Sequence, residues 1–89
     1  MGADTDPQRQ ETLEAIYEVL GPFNTKSLNL TEDTSFAKDL DFDSLVVMEF
    51  VAAVEDRFDI SVPMNILPDI ETIGQLAEAV DKIVEDEHG

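Results

Sequence analysis

Cysteine is absent from these 89 residues, which excludes a disulfide framework, a thiolate metal site and any native thiol chemistry. Positive charge is scarce. Five Lys and Arg stand against 21 Asp and Glu, giving a formal net charge of −16. Nucleic acid is thereby excluded as a ligand, because phosphate binding needs clustered Lys and Arg. Anionic membrane surfaces are disfavoured for the same reason. No apolar run approaches the roughly 20 residues of a membrane-spanning helix. The start, Met1-Gly2-Ala3-Asp4-Thr5-Asp6, lacks the basic and apolar stretches of a secretory signal. A myristoylation motif would need Ser or Thr where Asp6 stands. Internal repeats and low-complexity tracts are missing too. These absences lead to the expectation of a soluble, cytoplasmic protein without membrane insertion.

What is present suits one small domain over residues 1–89. About 43% of the residues are apolar, enough for one modest core. A chain this short buries only about 60–65% of its unfolded surface, so its stability is limited. An enzyme with its own cleft is hard to build on such a core, and size leans toward a binding, carrying or regulatory module. Repulsion among so many like charges keeps a protein soluble and monomeric while weakening its compact state. Solubility alone is one reading of the acidity. The other is recruitment of partners with basic patches, whose encounter opposite fields accelerate.

Along the chain, residues 1–5 read as a flexible leader and 86–89 as a frayed tail. Asp6-Pro7 marks a helix start, with the carboxylate as N-cap and proline first in the helix. Leu13, Ile16, Tyr17 and Leu20 recur at helical spacing, and Gly21-Pro22 ends the run. Residues 21–42 have no sustained period. A loop of that length needs pinning, which Phe23, Leu28, Leu30, Phe36 and Leu40 could supply. A second helix is expected from Asp43-Ser44 to about Phe58, with Val47, Phe50, Val51, Val54 and Phe58 on one face. Leu45, Met48 and Ala52 lie opposite, among Glu49, Glu55 and Asp56. Pro63 and Pro68 bracket a single helical turn at Met64-Asn65-Ile66-Leu67. Thr72 with Gln75 forms a capping box. It opens a last helix on Ile73, Leu76, Ala77, Val80, Ile83 and Val84, expected to end near Val84. The predicted fold is all-α, a small four-helix bundle of three main helices and one short one.

Asp39-Leu40-Asp41-Phe42-Asp43-Ser44-Leu45 is the densest signal. Its alternating aspartates suggest a calcium loop, but an EF-hand needs glycine where Ser44 stands and glutamate where Phe50 stands. A phosphatase-like Asp-x-Asp would need a preceding strand and a much larger α/β domain. A catalytic Ser44 would need a base within hydrogen-bond reach. The one histidine, His88, sits in the expected tail, so no catalytic residue is assigned. Taken alone, Asp43 and Ser44 could simply cap a helix.

Asp43-Ser44-Leu45, opening an acidic amphipathic helix after a long loop, resembles the Asp-Ser-Leu motif of acyl carrier proteins. The resemblance covers roughly residues 8–86. It takes in Leu40, Val54-Glu55-Asp56-Arg57-Phe58, Ile60-Ser61-Val62-Pro63 and Ile70-Glu71-Thr72-Ile73. The tripeptide alone matches by chance often, whereas tripeptide, helix order, loop length and acidity together are specific. The resemblance implies that Ser44 receives 4′-phosphopantetheine from coenzyme A through a phosphopantetheinyl transferase, and that the arm's thiol carries acyl groups as thioesters. It implies a non-catalytic carrier serving acyl-transferring and condensing enzymes of fatty-acid or specialised lipid synthesis. Leu45, Met48 and Ala52 with Glu49, Glu55 and Asp56 would form the docking face for basic partners. Val47, Val51, Val54, Ile73, Ala77 and Val80 could line a space for the acyl chain, although a filled core is expected in the unloaded form.

Two departures from the family pattern stand out. Val46 occupies a place where fatty-acid carriers commonly have an acidic residue, and the short helix Met64-Asn65-Ile66-Leu67 is apolar where theirs is usually acidic. Both point to a dedicated carrier in one lipid pathway, with serine palmitoyltransferase as an example of a partner. A polyketide or aminoacyl carrier and an unmodified acidic protein-binding module are the alternatives.

Overall fold

The computed structural model describes residues 7–24 and 28–88. The expected leader and the Asp6 cap lie outside the described residues. Helix α1 spans Pro7–Leu20, α2 Ser44–Phe58 and α3 Ile73–His88. Short 3-10 helices occupy Gly21–Phe23 and Met64–Asp69. Among the described residues no strand forms, only an isolated antiparallel bridge between Ser35 and Thr72. The fold is all-α, as the periodicity predicts.

Three boundaries differ from expectation. After Leu20 the chain tightens into a 3-10 turn, closed by the Asn24 N–H on the carbonyls of Leu20 and Gly21 at 2.8 and 3.2 Å. The short helix after Pro63 runs through Pro68, which lacks an N–H. The N–H groups of Ile66 and Ile70 donate to Pro63 O and Leu67 O on either side of it. Helix α3 continues to His88, past the expected end at Val84 and through most of the expected frayed tail. Extending a formed helix adds one backbone bond per residue without a new nucleus, and Glu85 and Glu87 are good helix formers.

Helix α1 packs against both α2 and α3. Ile16, Leu20, Phe50, Val54, Ile73 and Leu76 are fully buried between them. Val47 and Phe58, at the edges of the α2 stripe, are half-buried against this core. At the start of α3 the predicted capping box forms. Thr72 Oγ1 accepts the Gln75 N–H, and Gln75 Oε1 accepts the Thr72 N–H, each at 3.2 Å.

The long loop is pinned by all five expected apolar residues, with Phe36 and Leu40 buried and Phe23, Leu28 and Leu30 half-buried. It is also stitched to α3 and the residues just before it by backbone bonds absent from any sequence pattern. Phe36 N–H donates to Glu71 O at 3.0 Å, Ile73 N–H to Thr34 O at 3.1 Å, and Gly74 N–H to Glu32 O at 2.9 Å. Glycine at 74 lets the two segments approach closely: a Cβ there would lie 3.1 Å from both the Cβ and the carbonyl oxygen of Glu32, which would have to yield by a few tenths of an ångström. A polar junction ties the same parts together. The buried Asp81 accepts from the Thr12 hydroxyl at 2.5 Å and from Arg9 Nε–H at 2.8 Å. Arg9 also reaches Glu32 at 3.8 Å. The bond to Asp81 raises the Arg9 pKa above its usual value, against an opposing effect of burial.

Candidate functional site

The chain enters α2 through three residues with distinct backbone shapes. Asp41 takes a left-handed conformation with φ of 60°, which aspartate tolerates better than most side chains. Phe42 N–H donates back to Phe36 O at 2.9 Å. Asp43 is extended, and its Oδ1 accepts the Val46 N–H at 2.9 Å. Its carbonyl accepts the first helical bond, from Val47 N–H at 3.0 Å. Asp43 is therefore the N-cap, and Ser44 is the first residue of α2, exposed to solvent.

Beneath this entry lies a cluster of four phenylalanines. Phe36 stacks on Phe42 at 6.1 Å and meets Phe50 of α2 at 5.5 Å. Phe23 sets its edge against Phe42 and Phe50 at 6.2 and 5.8 Å. Such pairs contribute about 0.5–1.5 kcal/mol each beyond burial. They clamp the loop end to the side of α2 and so set the direction in which Asp43 and Ser44 arrive. Phe42 belongs to no helical stripe, and its part in the site was not foreseen from sequence. The hint available was a large aromatic beside Asp43 in an otherwise polar run.

The three aspartates do not converge. Asp39 accepts the Ser35 N–H at 2.7 Å and so closes a local turn, while Asp43 caps α2. Among the described residues no group of three His, Asp or Glu side chains is placed to hold a metal ion.

Ser44 opens onto a groove of about 690 Å³ between α2, the loop and the second 3-10 helix. Phe36, Phe42, Val47, Met48, Met64 and Leu67 supply its apolar lining. Of the six residues expected to border an acyl space, only Val47 reaches this groove; Val51, Val54, Ile73, Ala77 and Val80 are buried in the filled core. On the outer face of α2, Leu45, Met48, Ala52, Glu49 and Asp56 are exposed as expected. Glu55 is a correction. It is half-buried, and its Oε2 accepts the Val62 N–H at 2.7 Å, so it anchors the chain after α2 instead of facing a partner. The side chain of His88 lies outside the described residues.

Fold and groove together describe a small helical domain with Ser44 exposed at the start of α2 beside an apolar trough. A family described as "Phosphopantetheine attachment site" matches residues 10–80. A probable acyl carrier protein of Caulobacter vibrioides is 31% identical over 83 residues, covering 93% of this chain and 92% of that one. The acyl carrier protein of Thermobifida fusca is 28% identical over 74 residues, covering 82% and 94%. A meromycolate extension acyl carrier protein of Mycobacterium leprae is 32% identical over 73 residues, covering 82% of this chain and 61% of that one. The chain belongs to the phosphopantetheine attachment family, as one of its acyl carrier proteins. The group such domains carry is 4′-phosphopantetheine.

Proposed function

We propose that Ser44 bears the 4′-phosphopantetheine arm, and that the chain presents acyl groups to partner enzymes of lipid synthesis without catalysing a reaction itself. The observation that carries this reading is the exposed hydroxyl of Ser44 at the first position of α2, beside an apolar groove. The residues present fit the group. The hydroxyl is open to a transferase, and the amino end of a helix favours the phosphodiester anion. Bound there, the arm supplies the thiol that the cysteine-free chain lacks, for thioester linkage to an acyl group.

The chain's own residues do the rest. Asp43 holds the first turn so that Ser44 faces solvent. The groove shelters the apolar cargo, each buried methylene contributing roughly 0.8 kcal/mol. Leu45, Met48 and Ala52 anchor a docking partner, while Glu49 and Asp56 attract its basic rim. The loading enzyme is a phosphopantetheinyl transferase drawing on coenzyme A in the cytoplasm. Val46 and the apolar Met64–Leu67 stretch favour a dedicated carrier, handing a long acyl chain to an acyltransferase or to an amino-acid-condensing enzyme such as serine palmitoyltransferase. The Mycobacterium leprae relative, whose name ties it to meromycolate extension, supports specialisation within the family.

Intact mass after incubation with coenzyme A and a broad-specificity phosphopantetheinyl transferase tests the assignment. The expected result is one arm on the wild-type chain and none on Ser44→Ala. Loading of the alanine variant, or no loading of a folded wild type, overturns it.

A further inference from the structure

We propose that Met48 and Met64 form a reversible oxidation site that regulates the groove beside Ser44; the proposal rests on the reading of that groove as the shelter for the acyl chain. Sulfur enters this chain only as methionine, at three positions. Two of them, on separate elements, line the same groove: Met48 on α2 and Met64 at the start of the second 3-10 helix. Their exposures are 48% and 68%, so an oxidant dissolved in water reaches both thioethers. The other apolar residues of the wall, Phe36, Phe42, Val47 and Leu67 among them, offer no comparable reactive atom.

The oxidant is a hydroperoxide, in the simplest case hydrogen peroxide. A sulfur lone pair attacks one peroxide oxygen, the O–O bond breaks, an S–O bond forms, and the second oxygen leaves as water after proton transfer. Sulfur gives up two electrons and the peroxide takes them. The product is a polar, chiral sulfoxide in place of a flexible apolar side chain. Set against a hydrocarbon cargo, that oxygen must lose its water without gaining a donor, which is costly. Among the described residues, Lys38 is the one cation in the groove's lining, so little there can compensate. Neither methionine belongs to the buried core. Oxidation therefore changes what the groove holds while leaving the bundle folded. Reversal needs a reductase with thiols from outside the chain, which removes the oxygen as water while two thiols become a disulfide.

The test uses the bare 89-residue chain, with Nile red, a neutral apolar dye, as the groove probe. Peroxide treatment is followed by peptide mapping, circular dichroism and dye titration. The expected result is one oxygen on Met48 and one on Met64, unchanged helicity, and dye binding weakened roughly tenfold, the equivalent of about two buried methylenes. Methionine sulfoxide reductases of both stereospecificities with dithiothreitol should restore binding. The M48L/M64L variant, a volume-conserving change, should bind dye equally before and after peroxide. Unchanged affinity in a doubly oxidised chain overturns the proposal. So does an equal loss in the leucine variant, or resistance of either methionine under conditions that oxidise a free methionyl peptide. Loading by the transferase is read separately by mass, so a failure at Ser44 is not confused with a failure here.

Discussion

At Asp43 the carboxylate takes the Val46 N–H at 2.9 Å, and the next residue carries the hydroxyl on which the proposed function depends. Asp43→Ala should cost about 1 kcal/mol of stability, whereas Asp43→Asn should keep most of it. Urea denaturation of the two variants makes the comparison. Tyr17 is half-buried against the core. Burial, with a smaller effect from Glu32, raises its phenol pKa above the usual 10.0. The neutral form is thus favoured in the folded state. Its contribution is complete below pH 10 and is lost as pH rises through the folded value, because the unfolded chain ionises first. Tyr17→Phe should flatten the decline of stability above pH 10 and leave neutral pH unaffected, as thermal melts across that range would record. The cap was legible in sequence, since Asp-Ser before an apolar stripe is a local signal. The union of Thr12 and Arg9 with the buried Asp81 was not. Three polar residues on two helices look like surface until the helices are placed side by side.

Among the elements, α2 and the start of α3 were readable because each combines a cap with a 3.6-residue period. The loop between α1 and α2 was readable only in part. Its apolar pins are visible as residue types, but its backbone bonds to α3 depend on which carbonyl meets which amide. Gly74 is the clearest instance. In sequence it is merely a weak helix residue, while in the fold it admits the Glu32 carbonyl at hydrogen-bond distance. Gly74→Ala should push Glu32 outward and destabilise the domain by roughly 1–3 kcal/mol, despite the better helix propensity of alanine. Hydrogen exchange at the Gly74 and Ile73 amides would show the loop lifting. Glu55 teaches the same lesson: an acidic residue on an outward face proves to be a partner of the Val62 N–H.

For the molecule as a whole, the net charge of −16 opposes compaction. Arg57 with Glu18, at 3.5 Å and well exposed, does little to offset it. Added sodium chloride should therefore raise the melting temperature, by roughly 5 °C for each kcal/mol of repulsion relieved. A fall with salt would mean that ion pairs outweigh repulsion. The same field that weakens the fold suits rapid capture by basic enzymes. Size, acidity and helix order were all legible in the sequence; the groove was not, because its walls come from three separate stretches.

The stitching of Glu32 to Gly74 has a consequence for the history of such chains. From Glu32 to Asp43 the backbone is fastened at one end to α3 and at the other to the first turn of α2, so its length acts as a ruler. Inserting or deleting a single residue there would shift Phe36 and Phe42 out of register with Phe50 and so reshape the trough beside the serine. Sequences that diverge freely in composition along this stretch should therefore still agree in how many residues it contains.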